Sequence, residues 1–391
     1  MRGKALLFGA ITLIGSTAVS LLAAELVLRL LPVSEGTLNR PVNQQHPVLS
    51  FEPDDDVVFS RDWNFSYVNR VRVNKQGFVN KYDYDADPAT PVLAVIGDSY
   101  VEAVMVPHEE TLFGRLESDA RSFYGGDFHV YSFGASGAPL SQYLVYAKHA
   151  QDNYNVESMV FVIIANDFDE SMPRYATHEA FPVFHAGEDG RYNVVLPRDY
   201  VPLRGILRES ALVRYLHWHL NLSRTLAKLR ARAAAQYEQI KYADNTAADT
   251  SSRRMLDARA AVDAFLQLLP SYASLPSKNI AFVVDASRGA LYDAQSPEDV
   301  PNGYFQQVRR YFMEQARAQG FEVVDMAPYF FTEHKKTGVR FEWPTDAHWN
   351  GEAHRGAYEE IRDSAFYRRF LDTATSVPAY VPAPKTEVSR R

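Results

Sequence analysis

Pro91-Val-Leu-Ala-Val-Ile-Gly97 is a short, unbroken apolar run that ends in glycine. A run of that length with no polar alternation fits a β-strand covered on both faces. The same kind of run recurs at 128–133, at 158–165, at 279–285 and at 321–325. Strands buried on both faces need helices above and below them, and helical spacing appears between the runs, at Leu112, Phe113, Leu116 and Ala120 and again at Tyr304, Phe305, Val308, Tyr311 and Phe312. The pattern predicts a three-layer α/β/α domain with about five parallel strands, whose site lies at the C-terminal ends of the strands.

The spacing breaks once. Residues 168–278 are too many for one crossover, and they read as a mostly helical cap inserted into the core. A hairpin is expected around Ala186-Gly-Glu-Asp-Gly190, then helices through Leu212, Val213, Leu216 and Leu220 and through Met255, Leu256, Val262, Phe265 and Leu269, with a polar loop over 244–252 between them. The α/β domain is expected over 91–375, preceded by a stalk with small strands over 33–90 and followed by a disordered tail over 376–391.

At the N-terminus, Arg2 and Lys4 precede an uncharged run from Ala5 to Ala24, and Leu26 to Leu31 continue it past Glu25. That length suits a helical membrane span, and the positive charges before it place the N-terminus inside. Residues 1–32 are expected to anchor the chain in the inner membrane as a single pass, with the rest on the extracytoplasmic, periplasmic side; a cleaved signal peptide is the competing reading. A net charge of −7 with dispersed Lys and Arg gives no reason to bind nucleic acid. The chain has no cysteine, which removes disulfides and thiolate chemistry together. No cofactor and no metal are expected.

Three consecutive strand ends carry polar groups of different kinds. The first has Gly97-Asp98-Ser99-Tyr100, the second Ser132-Phe-Gly134-Ala-Ser-Gly137, the third Ala165-Asn166-Asp167-Phe168. Each alone is an ordinary turn. In sequence they supply a hydroxyl nucleophile, a glycine N–H and an asparagine amide, the parts of a nucleophile with an oxyanion hole. A serine hydroxyl needs a base oriented by a carboxylate, and Thr345-Asp346-Ala-His348-Trp-Asn350 after the fifth strand offers that pair. Ser99 is the expected nucleophile, His348 the base and Asp346 its orienter; Asp98 and Asp167 are candidate substrate contacts. Ser136 is a rival nucleophile in an incomplete elbow. His217 and His219 read as one core and one surface residue rather than metal ligands, and Asp169 and Glu170 as a solvated loop.

In this order, Gly97-Asp98-Ser99, Gly137, Asn166 and Asp346/His348 resemble the sequence blocks of the SGNH (GDSL-like) hydrolase superfamily. The resemblance implies a flavodoxin-like core, a Ser99–His348–Asp346 triad, and an oxyanion hole made by the Ser99 N–H, the Gly137 N–H and the Asn166 amide. Two positions depart from the usual blocks: Ile164 stands where the third has glycine, and Thr345 where the fifth has aspartate, which leaves Asp346 as the orienter. The Asp-x-His-Trp form behind an N-terminal anchor is similar to the extracytoplasmic branch related to alginate O-acetyltransferases. That branch implies an esterase or O-acyltransferase acting on O-acetyl groups of an envelope polysaccharide. The expected partners are an acylated carbohydrate or other ester, the membrane, and, as a candidate, a membrane-bound acyl-donor protein. The alternatives are a catalytically silent glycan-binding or scaffold protein, and a lipase or thioesterase with a strongly apolar acyl pocket.

Overall fold

The computed structural model describes residues 2–43, 45–125, 128–197, 199–202, 206–220 and 252–376. Helix α1 (Arg2–Leu28) has 27 residues, about 40 Å at the helical rise. It is long and apolar enough to cross a membrane and leaves its apolar window wholly outside the protein core. Strands β1 (Asp55–Arg61) and β2 (Tyr67–Val73) pair antiparallel, from Asp55 opposite Val73 to Arg61 opposite Tyr67.

The main sheet begins with β3 (Leu93–Gly97), β4 (Val130–Gly134) and β5 (Ser158–Ile163). A small antiparallel hairpin intervenes, β6 (Val183–Ala186) and β7 (Tyr192–Val195). The sheet is completed by β8 (Ile280–Val284) and β9 (Glu322–Asp325). Its order is β4-β3-β5-β8-β9 with every pairing parallel, so the five predicted strands form one sheet in the flavodoxin-like order. The strand order reverses between β3 and β5, the switch point at whose C-terminal ends such a sheet opens a crevice.

The alternation of side chains sorts each strand into two cores. Ala94, Ile96, Phe133, Phe161 and Phe282 face α4 (Leu140–Tyr154), α7 (Ser252–Ala273) and α9 (Tyr304–Ala318). Leu93, Val95, Val160 and Val283 face α3 (Leu112–Tyr124), α10 (Met326–Thr337), α11 (Gly351–Arg362) and α12 (Ala365–Ser376). Phe282 sits among the rings of Phe312, Phe321, Phe161 and Phe265 at centroid separations of 5.0, 5.2, 5.6 and 6.0 Å. Truncating it to alanine should cost about 3–5 kcal/mol.

Two expectations change. Residues 33–90 do supply small strands, but they are packed against the domain rather than standing off it as a stalk. Val42, Leu49, Phe51 and Phe78 join the larger core. Asn80 donates to the Val130 carbonyl at 3.0 Å and to Ser132 Oγ at 2.9 Å, and Tyr84 donates to the Ser132 carbonyl at 2.6 Å. This segment covers the edge strand β4, whose open backbone would otherwise invite another chain. Within 168–278, the described pieces before residue 221 are a 3-10 turn (Asp169–Ser171), the β6–β7 hairpin, α5 (Ile206–Glu209), α6 (Ala211–Arg214) and a π turn, Tyr215–His219. The other end of the interval, α7, is a layer helix that buries Val262, Phe265 and Leu269 on the sheet. It is the crossover from β5 to β8 and no part of a cap. The loop expected over 244–252 lies outside the described residues apart from Ser252, and the expected tail apart from Ser376.

Candidate active site

Strand β3 runs out at Gly97, and a single turn, α2 (Ser99–Glu102), follows at once. Asp98 makes this turn possible: its Oδ1 accepts from the Tyr100 N–H at 2.9 Å, the bond of an N-cap. The turn lies flat on β4, because Gly134 has no side chain; a Cβ there would stand 2.5 Å from the Glu102 nitrogen. The Ser99 side chain is thereby left at the mouth of the crevice.

Opposite it is a short ribbon, β10 (Glu342–Trp343) and β11 (Asp346–Trp349). His348 Nε2 lies 2.8 Å from Ser99 Oγ, and Nδ1 is hydrogen bonded to Asp346 Oδ1. The same carboxylate oxygen accepts from the His348 backbone N–H at 3.1 Å. With a carboxylate against Nδ1, the proton belongs on that nitrogen, and Nε2 is left to accept from the serine. Ser99 has one proton to give; its other acceptor, Asp98 Oδ2, is farther away at 3.2 Å. The second oxygen of Asp346 accepts from Arg61 Nη2, at the end of β1. Burial alone would push the Asp346 carboxyl up, but the hydrogen bond and electrostatic attraction of His348 and the charge of Arg61 outweigh it and hold the group well below the usual range.

A buried network fixes the ribbon to the sheet. Trp349, fully buried, donates Nε1 to Asp285 Oδ1 at 2.9 Å just past the end of β8. Asp285 receives Arg288 Nη1 on both oxygens, at 2.6 and 2.8 Å, and Arg288 begins α8 (Arg288–Asp293). Arg288 Nη2 donates to the Ala347 carbonyl and to the Tyr100 hydroxyl, and that hydroxyl donates to the same carbonyl at 3.0 Å. Ala347 lies between Asp346 and His348, so this clamp holds both from behind. From the other side, Thr345 Oγ1 donates to Asp62 at 2.8 Å, and Trp343 stacks on Tyr67 at 4.2 Å.

Gly137 lines the crevice beside Ser99 and His348. It has φ +79° in a turn closed by Ala138 N–H to the Ala135 carbonyl at 3.0 Å, a conformation that favours glycine. The preceding residue, Ser136, gives its N–H and its hydroxyl to Glu102 Oε2 at 2.7 and 2.5 Å. The rival nucleophile is therefore engaged by a carboxylate and is not the serine that meets the histidine. Asn166 stands at the end of β5 as expected, but one of its amide hydrogens goes to Glu170 Oε2 at 3.3 Å.

The candidate substrate contacts are corrected. Asp98 is 1% exposed and Asp167 is 0% exposed. Asp98 caps α2, and Asp167 accepts from the Ile164 N–H at 2.7 Å, so both are spent on backbone donors and out of reach of a ligand. Burial pushes the Asp98 carboxyl up to about 6 despite the bonds that lower it. Asp169 is no solvated loop residue either: it is buried and paired with Arg254 at 2.5 Å. Burial also raises Glu170, to about 7. His219 is buried against Ser34 and Asp62, while His217 lines the crevice.

The crevice opens into a cavity of about 700 Å³. Its walls are mixed: Phe51, Val57, Phe59, Met105, Phe181 and Trp218 share them with Glu35, His178, Arg208 and Arg214. Arg61 and Glu102 also line it, and Arg61 had no sequence signal of a role. Glu102 sits three residues after Ser99, one helical turn away, the single clue that it would face the same way.

No protein-family model matches the chain, and no curated protein matches it. Among solved structures, it aligns with a member of the lipolytic G-D-S-L family from Veillonella parvula at 9% identity, over 71% of this chain and 100% of that one, with a TM-score of 0.34. It aligns with the acetyl xylan esterase AlAXEase at 10% identity, over 70% and 99%, with a TM-score of 0.36. It aligns with the esterase EstA from Pseudoalteromonas sp. at 12% identity, over 72% and 98%, with a TM-score of 0.34. Likeness at this level leaves the function to the geometry of the site.

Proposed function

We propose that this chain is a serine esterase or acyltransferase of the SGNH type, anchored by α1 with its site on the extracytoplasmic side. The observation that carries the reading is the unbroken chain Ser99 Oγ to His348 Nε2 and His348 Nδ1 to Asp346. In the first half-reaction, Ser99 Oγ attacks the carbonyl carbon of an ester while its proton moves to Nε2. The oxygen that becomes negative is met by the N–H groups of Ser99 and Gly137 and by the Asn166 amide, once that amide turns from Glu170. As the carbonyl re-forms, the bond to the leaving alcohol breaks, and Nε2 returns the proton to that alcohol's oxygen. In the second half-reaction, water or an acceptor hydroxyl attacks the acyl-serine by the same route.

The substrate assigned by resemblance is an O-acetyl group on an envelope polysaccharide. The apolar part of the cavity wall, Phe51, Val57, Phe59, Met105 and Phe181, favours a second reading, an acyl group longer than acetyl, as in a lipase or thioesterase. Turnover of a series of p-nitrophenyl esters by the purified chain and by Ser99→Ala tests both. Loss of turnover in the variant supports the nucleophile, and the chain-length optimum decides between acetyl and longer acyl groups. Equal background rates in both proteins would leave a catalytically silent glycan-binding or scaffold protein.

A further inference from the structure

Helix α1 does not pass into a free linker. Glu25, in its last turn, accepts from Ser210 Oγ at 2.7 Å, from the Leu212 N–H at 2.9 Å and from the Ala211 N–H at 3.1 Å. A carboxylate of the membrane helix thus caps α6. Arg29 Nε donates back to Glu25 at 2.7 Å, and its Nη2 donates to the Glu209 carbonyl at 3.2 Å. A few residues on, the Pro32 carbonyl accepts from Ser60, and the Ser34 N–H donates to His219 Nε2 at 3.2 Å. The same elements wall the cavity: Val213, His217 and Trp218 from α6 and the π turn, and Ser34 to Thr37 from the segment after the anchor. A flexible tether needs no such bonds, since water would satisfy Glu25 and Arg29 equally well.

Large apolar side chains are exposed on the segments that form this knot. Leu30 is 87% exposed, Trp63 69%, Leu220 44% and Trp218 39%. The Trp63 carbonyl accepts from the Tyr215 hydroxyl at 2.7 Å, which ties its loop to the π turn that carries Trp218. Exposed tryptophans and leucines where a transmembrane helix leaves the bilayer have the composition of an interfacial belt. Trp218 belongs to both the belt and the cavity wall, so apolar surface continues from one into the other.

We infer that α1 seats the mouth of the cavity in the headgroup layer of the bilayer, and that the ester drawn into it is carried by an amphiphile embedded in the same leaflet. The inference rests on the anchored-esterase reading and adds to it the source of the acyl group. Holding site and substrate in one layer raises their effective concentration without any new contact at the reacting atoms.

The full chain in lipid nanodiscs provides the test. Activity is compared on a water-soluble p-nitrophenyl ester and on the same acyl group carried by a membrane-embedded lipid ester. Glu25→Ala should keep the soluble rate within about twofold and lose about tenfold or more on the embedded ester, and Glu25→Gln, which retains a carbonyl acceptor, should recover most of the loss. Independently, brominated lipids should quench the Trp63 emission, taken as the difference between the wild type and Trp63→Phe. Unquenched Trp63, or equal losses on the two esters, would overturn the inference. Should neither ester turn over in the wild type, it is the catalytic reading that fails, and quenching alone then decides the seating.

Discussion

Arg61, at the end of the β1 strand, grips the outer oxygen of Asp346 across a sequence separation of 285 residues. Its guanidinium and the His348 imidazole both hold the carboxylate, so in the proposed reaction Arg61 would act on Ser99 through two intermediaries, as a positioning residue. Arg61→Ala should lower kcat about tenfold to a hundredfold with little change in KM, and Arg61→Lys should restore part of the loss. Steady-state kinetics on a soluble ester gives both constants; a loss confined to KM would assign Arg61 to substrate binding instead.

The low carboxyl value of Asp346 fixes the sign of a stability effect. The group is held below its unfolded value of 3.8, so its contribution is fully present above that pH and fades as pH falls through the folded value. Asp346→Asn should therefore be less stable than the wild type at pH 7, with the gap closing in acid below about pH 4. Thermal melts of the two proteins from pH 7 down to pH 3 measure the gap.

Asp98 has the opposite sign. Its folded value of about 6 lies above the unfolded 3.8, so the folded state binds the extra proton, and stability declines as pH rises from about 4 through 6. Asp98→Asn keeps an oxygen for the Tyr100 N–H and carries no charge to bury. It should be more stable than the wild type at pH 7 by about 1–3 kcal/mol, with the advantage vanishing near pH 4. Chemical denaturation at the two pH values measures this; a variant destabilised at both would mean that the cap needs the charge.

At Gly137 a new Cβ would find its nearest neighbour, Phe181 Cε2, at an unhindered 3.7 Å, so only the left-handed backbone opposes a side chain. Gly137→Ala should cost about 1–2 kcal/mol of stability. If its N–H serves the oxyanion, kcat should fall about a hundredfold as the turn relaxes. Ser136→Ala is the control: it leaves the turn backbone in place and should retain most of the rate.

Much of this architecture was legible in the sequence because its signals are local. Five apolar runs of strand length mark the sheet, and Asp346 and His348 stand two residues apart on one ribbon. What was not legible depends on distance or on burial. Arg61 sits in an alternating hairpin with no motif around it, and only the fold carries it to Asp346. Asp98 and Asp167 looked like ligand contacts because carboxylates at strand ends usually face solvent; here each turns inward to satisfy backbone N–H groups at the start of a helical turn. Helix α7 read as cap because it falls in the long interval, although the apolar stripe of Val262, Phe265 and Leu269 is that of a helix lying on a sheet. Residues 33–90 are rich in turn formers, which concealed the core side chains Leu49, Phe51 and Phe78 spaced among them.

In the proposed reaction His348 activates the Ser99 hydroxyl. Peptide-mapping mass spectrometry after a fluorophosphonate probe tests it directly, since the probe labels a serine only where a base has activated it. One adduct is expected, on the peptide carrying Ser99, and it should disappear in His348→Ala. An adduct on Ser136, or unchanged labelling of Ser99 without the histidine, would contradict it.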